Sequence, residues 1–142
     1  CRFGDPETQP IMMRMQSDLV ELCLAAFEDN GLAGKTADWD PRAAIGVVLA
    51  AGGYPASYNK GDVISLPSDE ANNQKIFHAG TKLNDAGEVT TNGGRVLCAT
   101  ALGNTVTEAQ QQAYELTKKI SWKDAFYRTD IAYRAIAREQ AK

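Results

Sequence analysis

A chain of 142 residues, 44% hydrophobic and 23% charged, is long enough to close a core of its own and has the composition of a globular domain. Its formal charge of -3 offers no basic field that could follow a nucleic-acid backbone. The longest nearly apolar run, Ala43 to Ala51, falls far short of the roughly 20 residues with which a helix crosses a bilayer.

The cysteines are Cys1, Cys23 and Cys98, an odd count with no Cys-x-x-Cys spacing. Cys23 and Cys98 lie in apolar segments, where a reduced thiol behaves as a small hydrophobe. This usage points to a reducing, cytoplasmic setting rather than a disulfide framework. No secretory signal opens the chain, and Cys1 is not a natural first residue, so sequence upstream of it is expected.

In chain order, residues 1–10 read as an irregular loop, with Gly4 and Asp5-Pro6 restricting helix formation. The pattern predicts a helix from near Ser17, with Asp18 and Glu21 at its positive end and Asn30-Gly31 closing it. Its apolar stripe is wide (Leu19, Cys23 and Ala26 beside Val20, Leu24 and Phe27), which predicts deep burial. Residues 31–42 are polar and read as a connector. Ala44 to Ala51 then reads as a buried strand, Lys75 to Ala79 as a second and Glu88 to Thr91 as a third. Asn92-Gly93 is a hairpin signal, leading into a strand from Arg95 to Leu102. Thr105 and Glu108 make a capping-box pair for a helix carrying Ala109, Ala113, Leu116 and Ile120 on one face. A last helix is predicted from near Thr129 or Asp130, packing Ile131, Ala135 and Ile136. The fold class is α+β: an antiparallel sheet covered by helices, preceded by a helical piece of another domain.

Few residues carry chemistry on their own. Gly34-Lys35-Thr36 imitates the end of a phosphate-binding loop, but the glycine required five residues earlier is Asp29, and no strand precedes it. Arg2, Asp5 and Glu7 crowd onto a loop fixed by glycine and proline, which suits either a polar ligand or a solvated surface. His78, the sole histidine, lacks the partners of a metal site and reads first as a hydrogen-bonding residue. Lys82, just past a strand end, is either a point charge for phosphate or simply solvated. The Thr91-Asn92-Gly93-Gly94-Arg95 turn joins backbone amides to a guanidinium, an arrangement that suits an anion as well as a plain turn.

Together these segments resemble the glycinamide ribonucleotide synthetase family of ATP-grasp ligases. The residues that carry the resemblance are Arg2-Phe3-Gly4-Asp5-Pro6-Glu7-Thr8-Gln9, Ala51-Gly52-Gly53-Tyr54-Pro55, His78-Ala79-Gly80-Thr81, Thr91 to Leu97 and Tyr127-Arg128-Thr129-Asp130-Ile131, in that family's order. Ala132 stands where the family usually carries glycine. The resemblance implies that residues 1–36 end an ATP-grasp domain and residues 37–142 form a C-terminal domain. It further implies an enzyme that uses ATP and magnesium, or manganese, to join glycine to 5-phosphoribosylamine. The metal ligands would lie just upstream of Cys1, so these residues alone would bind neither cofactor and would be inactive without the N-terminal and ATP-grasp domains. Carried over by position, Arg2 would stabilise glycyl phosphate, and Gly4 and Asp5 would hold glycine. Lys82 and Arg95 would take the ribose 5-phosphate, with His78 orienting their loop. The alternative is a phosphosugar-binding or interdomain packing module without catalysis.

Overall fold

The computed structural model describes residues 2–141. Two short helices come first, α1 (Thr8–Arg14) and α2 (Leu19–Ala25). Five strands follow: β1 (Ala43–Ala50), β2 (Gln74–His78), β3 (Thr81–Leu83), β4 (Val89–Thr91) and β5 (Arg95–Gly103). Then come α3 (Val106–Thr117) and α4 (Tyr133–Gln140). The strands make two antiparallel sheets, one ordered β1–β5–β2 and a separate ribbon β3–β4. The α+β class read from the sequence is the class observed.

Strand alternation divides the main sheet into two faces. Val47 pairs with Ala99 and Leu49 with Leu97, and Ile76 of β2 joins them opposite Ala99. These side chains meet Ala113 and Leu116 of α3 in the buried core, with Ile120 and Trp122 beyond. Thr105 caps α3 by accepting the Glu108 amide at 3.0 Å, as the capping pattern predicts. Glu108 Oε2 reaches back to the amide of Asn104, one residue before the cap. The opposite face carries Gly46 and Val48, and α1 lies on it. A methyl at Gly46 would stand 2.9 Å from Cys98 Sγ and 3.2 Å from Pro10 Cγ, so only glycine lets α1 seat so closely.

One irregularity breaks the alternation. Leu49 pairs with Leu97, yet Ala50 pairs with Arg95, leaving Val96 as an extra residue in β5. Strict alternation would send Arg95 to the same side as Leu97 and Ala99, toward α3. The extra residue returns it to the face of Gly46 and Val48, while Val96 stays fully buried in the core.

Four sequence expectations are corrected. The opening segment is helical from Thr8, because Pro10 falls in the first turn, where its missing N–H has no intrahelical partner to lose. Helix α2 is capped by Asp18, which accepts the Val20 and Glu21 amides, but it stops at Ala25 and buries nothing. Val20, Leu24 and Phe27 are 65%, 63% and 87% exposed, and no element among the described residues covers their stripe. Asn92-Gly93 is no hairpin turn. Neither residue has the left-handed φ that a tight turn needs, and β4 pairs with β3 instead. The true hairpin is Asn84 to Glu88, where Gly87 takes φ +79° and Asn84 Oδ1 accepts the Ala86 and Glu88 amides. The last helix begins at Tyr133, not near Thr129 or Asp130, because the Asp130 carboxylate is engaged by Arg128 instead of capping amides.

The backbone at Ala132 suits the glycine that the resemblance implies at this position. Ala132 is the N-terminal cap of α4 and sits at φ 68°, a left-handed conformation that strains any residue with a Cβ. Ala132→Gly is expected to stabilise the chain by about 1 kcal/mol, net of the extra unfolded-state freedom of glycine. A thermal melt should show a rise of roughly 3 °C.

The connector is anchored at Asp40, which is buried. Its amide donates to Arg14 O at 2.7 Å, and its carboxylate accepts Arg42 Nη2 at 2.6 Å and the Arg42 amide at 2.9 Å. The Arg42 side-chain hydrogen bonds, then that amide, hold the Asp40 carboxyl at about 2 against an ordinary 3.8. A depressed carboxylate contributes stability that is complete above its unfolded value and disappears as pH falls through the folded one. Acid titration of stability should therefore be steeper between pH 3.8 and about 2 in the native chain than in Asp40→Asn.

Candidate functional site

A cleft of about 280 Å³ opens on the face of the main sheet where Arg95 emerges. Its floor is the outward row of β1, Gly46, Val48 and Ala50. Pro6 of the opening loop forms one wall, and Phe126, Tyr127, Arg128 and Ile131 form the other, with Tyr54 and Arg95 completing the lining.

Each wall is fixed by hydrogen bonds. Phe126 pairs with the end of β1, its amide donating to Ala50 O at 3.1 Å and its carbonyl accepting the Ala50 amide at 2.8 Å. Farther along, Tyr114 of α3 donates its hydroxyl to Arg128 O at 2.7 Å and accepts the Ile131 amide at 3.1 Å. Gln110 Nε2 donates to Ile131 O at 2.7 Å. Helix α3 thus pins the backbone of residues 128–131 from behind. At the far end, Tyr54 lies directly over Gly94, where a Cβ would run into its ring.

Two arginines meet this space, each braced by a carboxylate. Arg95 Nη2 lies 3.1 Å from Asp5 Oδ2, and Arg95 Nη1 donates to Asp5 O at 3.2 Å, joining residues 90 apart in sequence. Arg128 donates from Nε to Asp130 Oδ1 at 2.9 Å and from Nη2 to Asp130 Oδ2 at 2.7 Å. These hydrogen bonds hold the Asp130 carboxyl below its usual range and raise the Arg128 guanidinium.

The residues singled out from the sequence are partly gathered. Asp5 and Arg95 come together, and Gly4 lies in the same loop, its carbonyl accepting the Thr8 amide at 3.2 Å and the Thr8 hydroxyl. Arg2 is exposed on the strand-free, helix-free stretch before that loop. His78 ends β2, with Nδ1 3.0 Å from Thr81 Oγ1 across the Ala79-Gly80 turn. Lys82 sits exposed on the β3–β4 ribbon and does not line the cleft. Gly34 is exposed at φ 75° in an open turn, with no preceding strand and no anion cradle. Arg128, Tyr54 and Phe126 had no role in the sequence reading. The Tyr127 to Ile131 motif was a signal for the first, but nothing in spacing revealed that it folds back beside β1.

Among the described residues, no three histidine, cysteine, aspartate or glutamate side chains gather as metal ligands, and no helix is long and apolar enough to cross a membrane. Cys98 is buried beside Thr100, and burial pushes its thiol up.

Fold and site define an antiparallel α+β domain that presents two braced guanidiniums and aromatic walls across a small cleft. The chain belongs to the phosphoribosylglycinamide synthetase C-domain family, whose model matches residues 44–134. It is 71% identical over 143 aligned positions to a phosphoribosylamine–glycine ligase of Vibrio vulnificus, covering 100% of this chain and 33% of that protein. Against the Escherichia coli K12 protein of the same name the identity is 65%, covering 99% of this chain and 33% of that protein. A crystal structure of phosphoribosylamine–glycine ligase from Thermotoga maritima superposes with a TM-score of 0.75 at 40% identity, covering 91% of this chain and 31% of that one. The chain thus spans about a third of the length of the curated relatives it matches.

Proposed function

We propose that this chain is the C-terminal part of an ATP-dependent ligase, active in de novo purine biosynthesis in the cytoplasm, that joins glycine to 5-phosphoribosylamine. The reaction would give glycinamide ribonucleotide, ADP and phosphate. In this reading the glycine carboxylate takes the terminal phosphoryl group of ATP, and the amine then attacks the glycyl carbon and releases phosphate. Residues 1–36 end the ATP-grasp domain, and residues 37–142 form the C-terminal domain that closes one side of the active site.

The observation that carries the reading is the Arg95–Asp5 pair at 3.1 Å. It joins two motifs 90 residues apart in sequence beside the cleft that Arg95 lines. On this reading, Arg2 opposes the charge that develops as glycyl phosphate forms and breaks. The Gly4 backbone holds the glycine carboxylate. Asp5, whose Oδ2 is taken by Arg95, offers its other oxygen to the glycine ammonium. Lys82 and Arg95 take the ribose 5-phosphate, and His78, through Thr81, steadies the loop that carries Lys82.

The described residues do not fit a divalent metal, since no ligand cluster is present among them. Magnesium or manganese, and ATP, are assigned to the remainder of the full-length protein. A second reading, a packing module without catalysis, draws on the bare stripe of Val20, Leu24 and Phe27.

The test is isotopic. With glycine labelled by heavy oxygen in its carboxylate, the full-length protein should transfer one labelled oxygen into the released phosphate. Unlabelled phosphate alongside glycinamide ribonucleotide would rule out the acyl-phosphate route.

A further inference from the structure

We propose that Arg128 is a further cation for the phosphate of the sugar substrate, beside those already assigned, and that the cleft it shares with Arg95 takes a phosphate monoester of a single sugar ring. This deepens the ligase reading and rests on it for the identity of the sugar.

Arg95 and Arg128 are both among the residues that line the cleft, whereas Asp5 and Asp130 are not. The charged residues that line this cleft are therefore both cationic, while Asp130 lines an adjoining cavity with Arg128. A guanidinium has five N–H donors. Arg95 engages two nitrogens with Asp5, and Arg128 engages Nε and Nη2 with Asp130, so each keeps donors for an incoming anion. Planar forks held by carboxylates match a tetrahedral oxyanion better than a mobile ammonium does.

Size limits the guest. A cleft of about 280 Å³ lies below the roughly 300–1,000 Å³ of pockets that enclose drug-sized ligands. The part that the lining residues enclose suits one ring with its phosphate. The remaining lining fits the body of such a molecule, with the Tyr54 and Phe126 rings beside the low Gly46–Val48–Ala50 floor. Placement is built in at both ends. The extra residue Val96 turns Arg95 to this face. Tyr114 fixes the Arg128 backbone.

The experiment is calorimetric titration of the full-length protein with ribose 5-phosphate, ribose and inorganic phosphate. Native protein, Arg128→Ala, Arg128→Lys, Arg95→Ala and Arg134→Ala are compared. Loss of charge-assisted hydrogen bonds should weaken ribose 5-phosphate binding roughly tenfold to a hundredfold in Arg128→Ala and Arg95→Ala. Arg128→Lys, which keeps the charge and avoids an empty site, should recover part of that loss. Arg134, exposed and stacked on Tyr133 outside the cleft, controls for surface charge, and its alanine variant should bind within about twofold of native. Ribose without phosphate should bind at least about tenfold more weakly than ribose 5-phosphate. Inorganic phosphate binding as tightly as the ester would make this a bare anion site and overturn the sugar assignment. Native-like binding in Arg128→Ala, or equal losses in Arg128→Ala and Arg134→Ala, would overturn the proposal.

Steady-state kinetics separate it from the ligase reading. Arg128→Ala should raise KM for phosphoribosylamine roughly tenfold while KM for glycine and ATP stays within about twofold. Arg128-dependent binding in a protein that ligates no glycine would leave the cleft standing and remove the ligase. Glycine ligation with unchanged sugar-phosphate binding in Arg128→Ala would do the reverse.

Discussion

Leu116→Ala is expected to lower the stability of the chain by about 3–4 kcal/mol, a fall in melting temperature of roughly 10 °C. Leu116 is fully buried where α3 meets the β1–β5–β2 sheet, packed among residues that include Leu49, Leu97, Ile76 and Trp122. Removing its branched end leaves a void that these neighbours, held by strand pairing, close poorly. The comparison that gives the number meaning is Leu24→Ala. Leu24 has the same chemistry but is exposed on α2, and its loss should change the melt by less than about 0.5 kcal/mol. Chemical or thermal unfolding of the two variants measures the difference, and equal losses would mean that the α2 stripe is covered.

The second large effect is expected at Gly80→Ala, and it should reach the cleft. A Cβ at Gly80 would stand 2.6 Å from Arg95 O, 2.7 Å from Gly93 Cα and 2.9 Å from Gly93 N. All three neighbours are backbone, so no side chain can rotate away. The ribbon and the main sheet cross at this point, where Asn92 donates its amide to Gly80 O at 2.7 Å and Gly80 donates to Val96 O at 3.0 Å. Forcing them apart should cost about 3 kcal/mol and displace the start of β5, with Arg95 on it. Unfolding measures the first part. The second should appear as weaker ribose 5-phosphate binding at a temperature where the variant is still folded. A Gly80→Ala protein with native stability would show that the crossing is looser than described.

Much of this fold was legible because period and composition agree in it. The Ala44 to Ala51 run read as a buried strand, and the Thr105–Glu108 pair marked the start of α3. The errors have physical causes. Asn92-Gly93 carries the composition of a hairpin turn, but whether two flanking strands pair depends on what else competes for their edges. Here β3 takes β4, while β1 and β2 take β5. Burial of α2 was inferred from its stripe, yet a stripe reports only that something could cover it. The bulge at Val96 was invisible, since Val96 and Leu97 are both apolar and both buried, and no periodicity distinguishes an extra residue inside such a run.

The same holds for the site. Asp5 and Arg95 were each legible as charged groups on glycine-rich segments, but their meeting depends on the outward face of β1 and on the bulge. Arg128 stood in a recognised motif without a role, because long-range contacts, the pairing of Phe126 with Ala50 and the hydrogen bonds from Tyr114 and Gln110, bring that segment to the cleft. His78 and Lys82 belong to the β2–β3 turn and the ribbon, and their assignments rest on position alone.

These assignments all assume a domain that completes a ligase without being one. The direct measurement compares ADP release by the full-length protein and by residues 1–142, each given ATP, magnesium, glycine and phosphoribosylamine. The account predicts glycine-dependent turnover by the full-length protein and none by the shorter chain. Ligation by residues 1–142 alone, or none by the full-length protein, would contradict it.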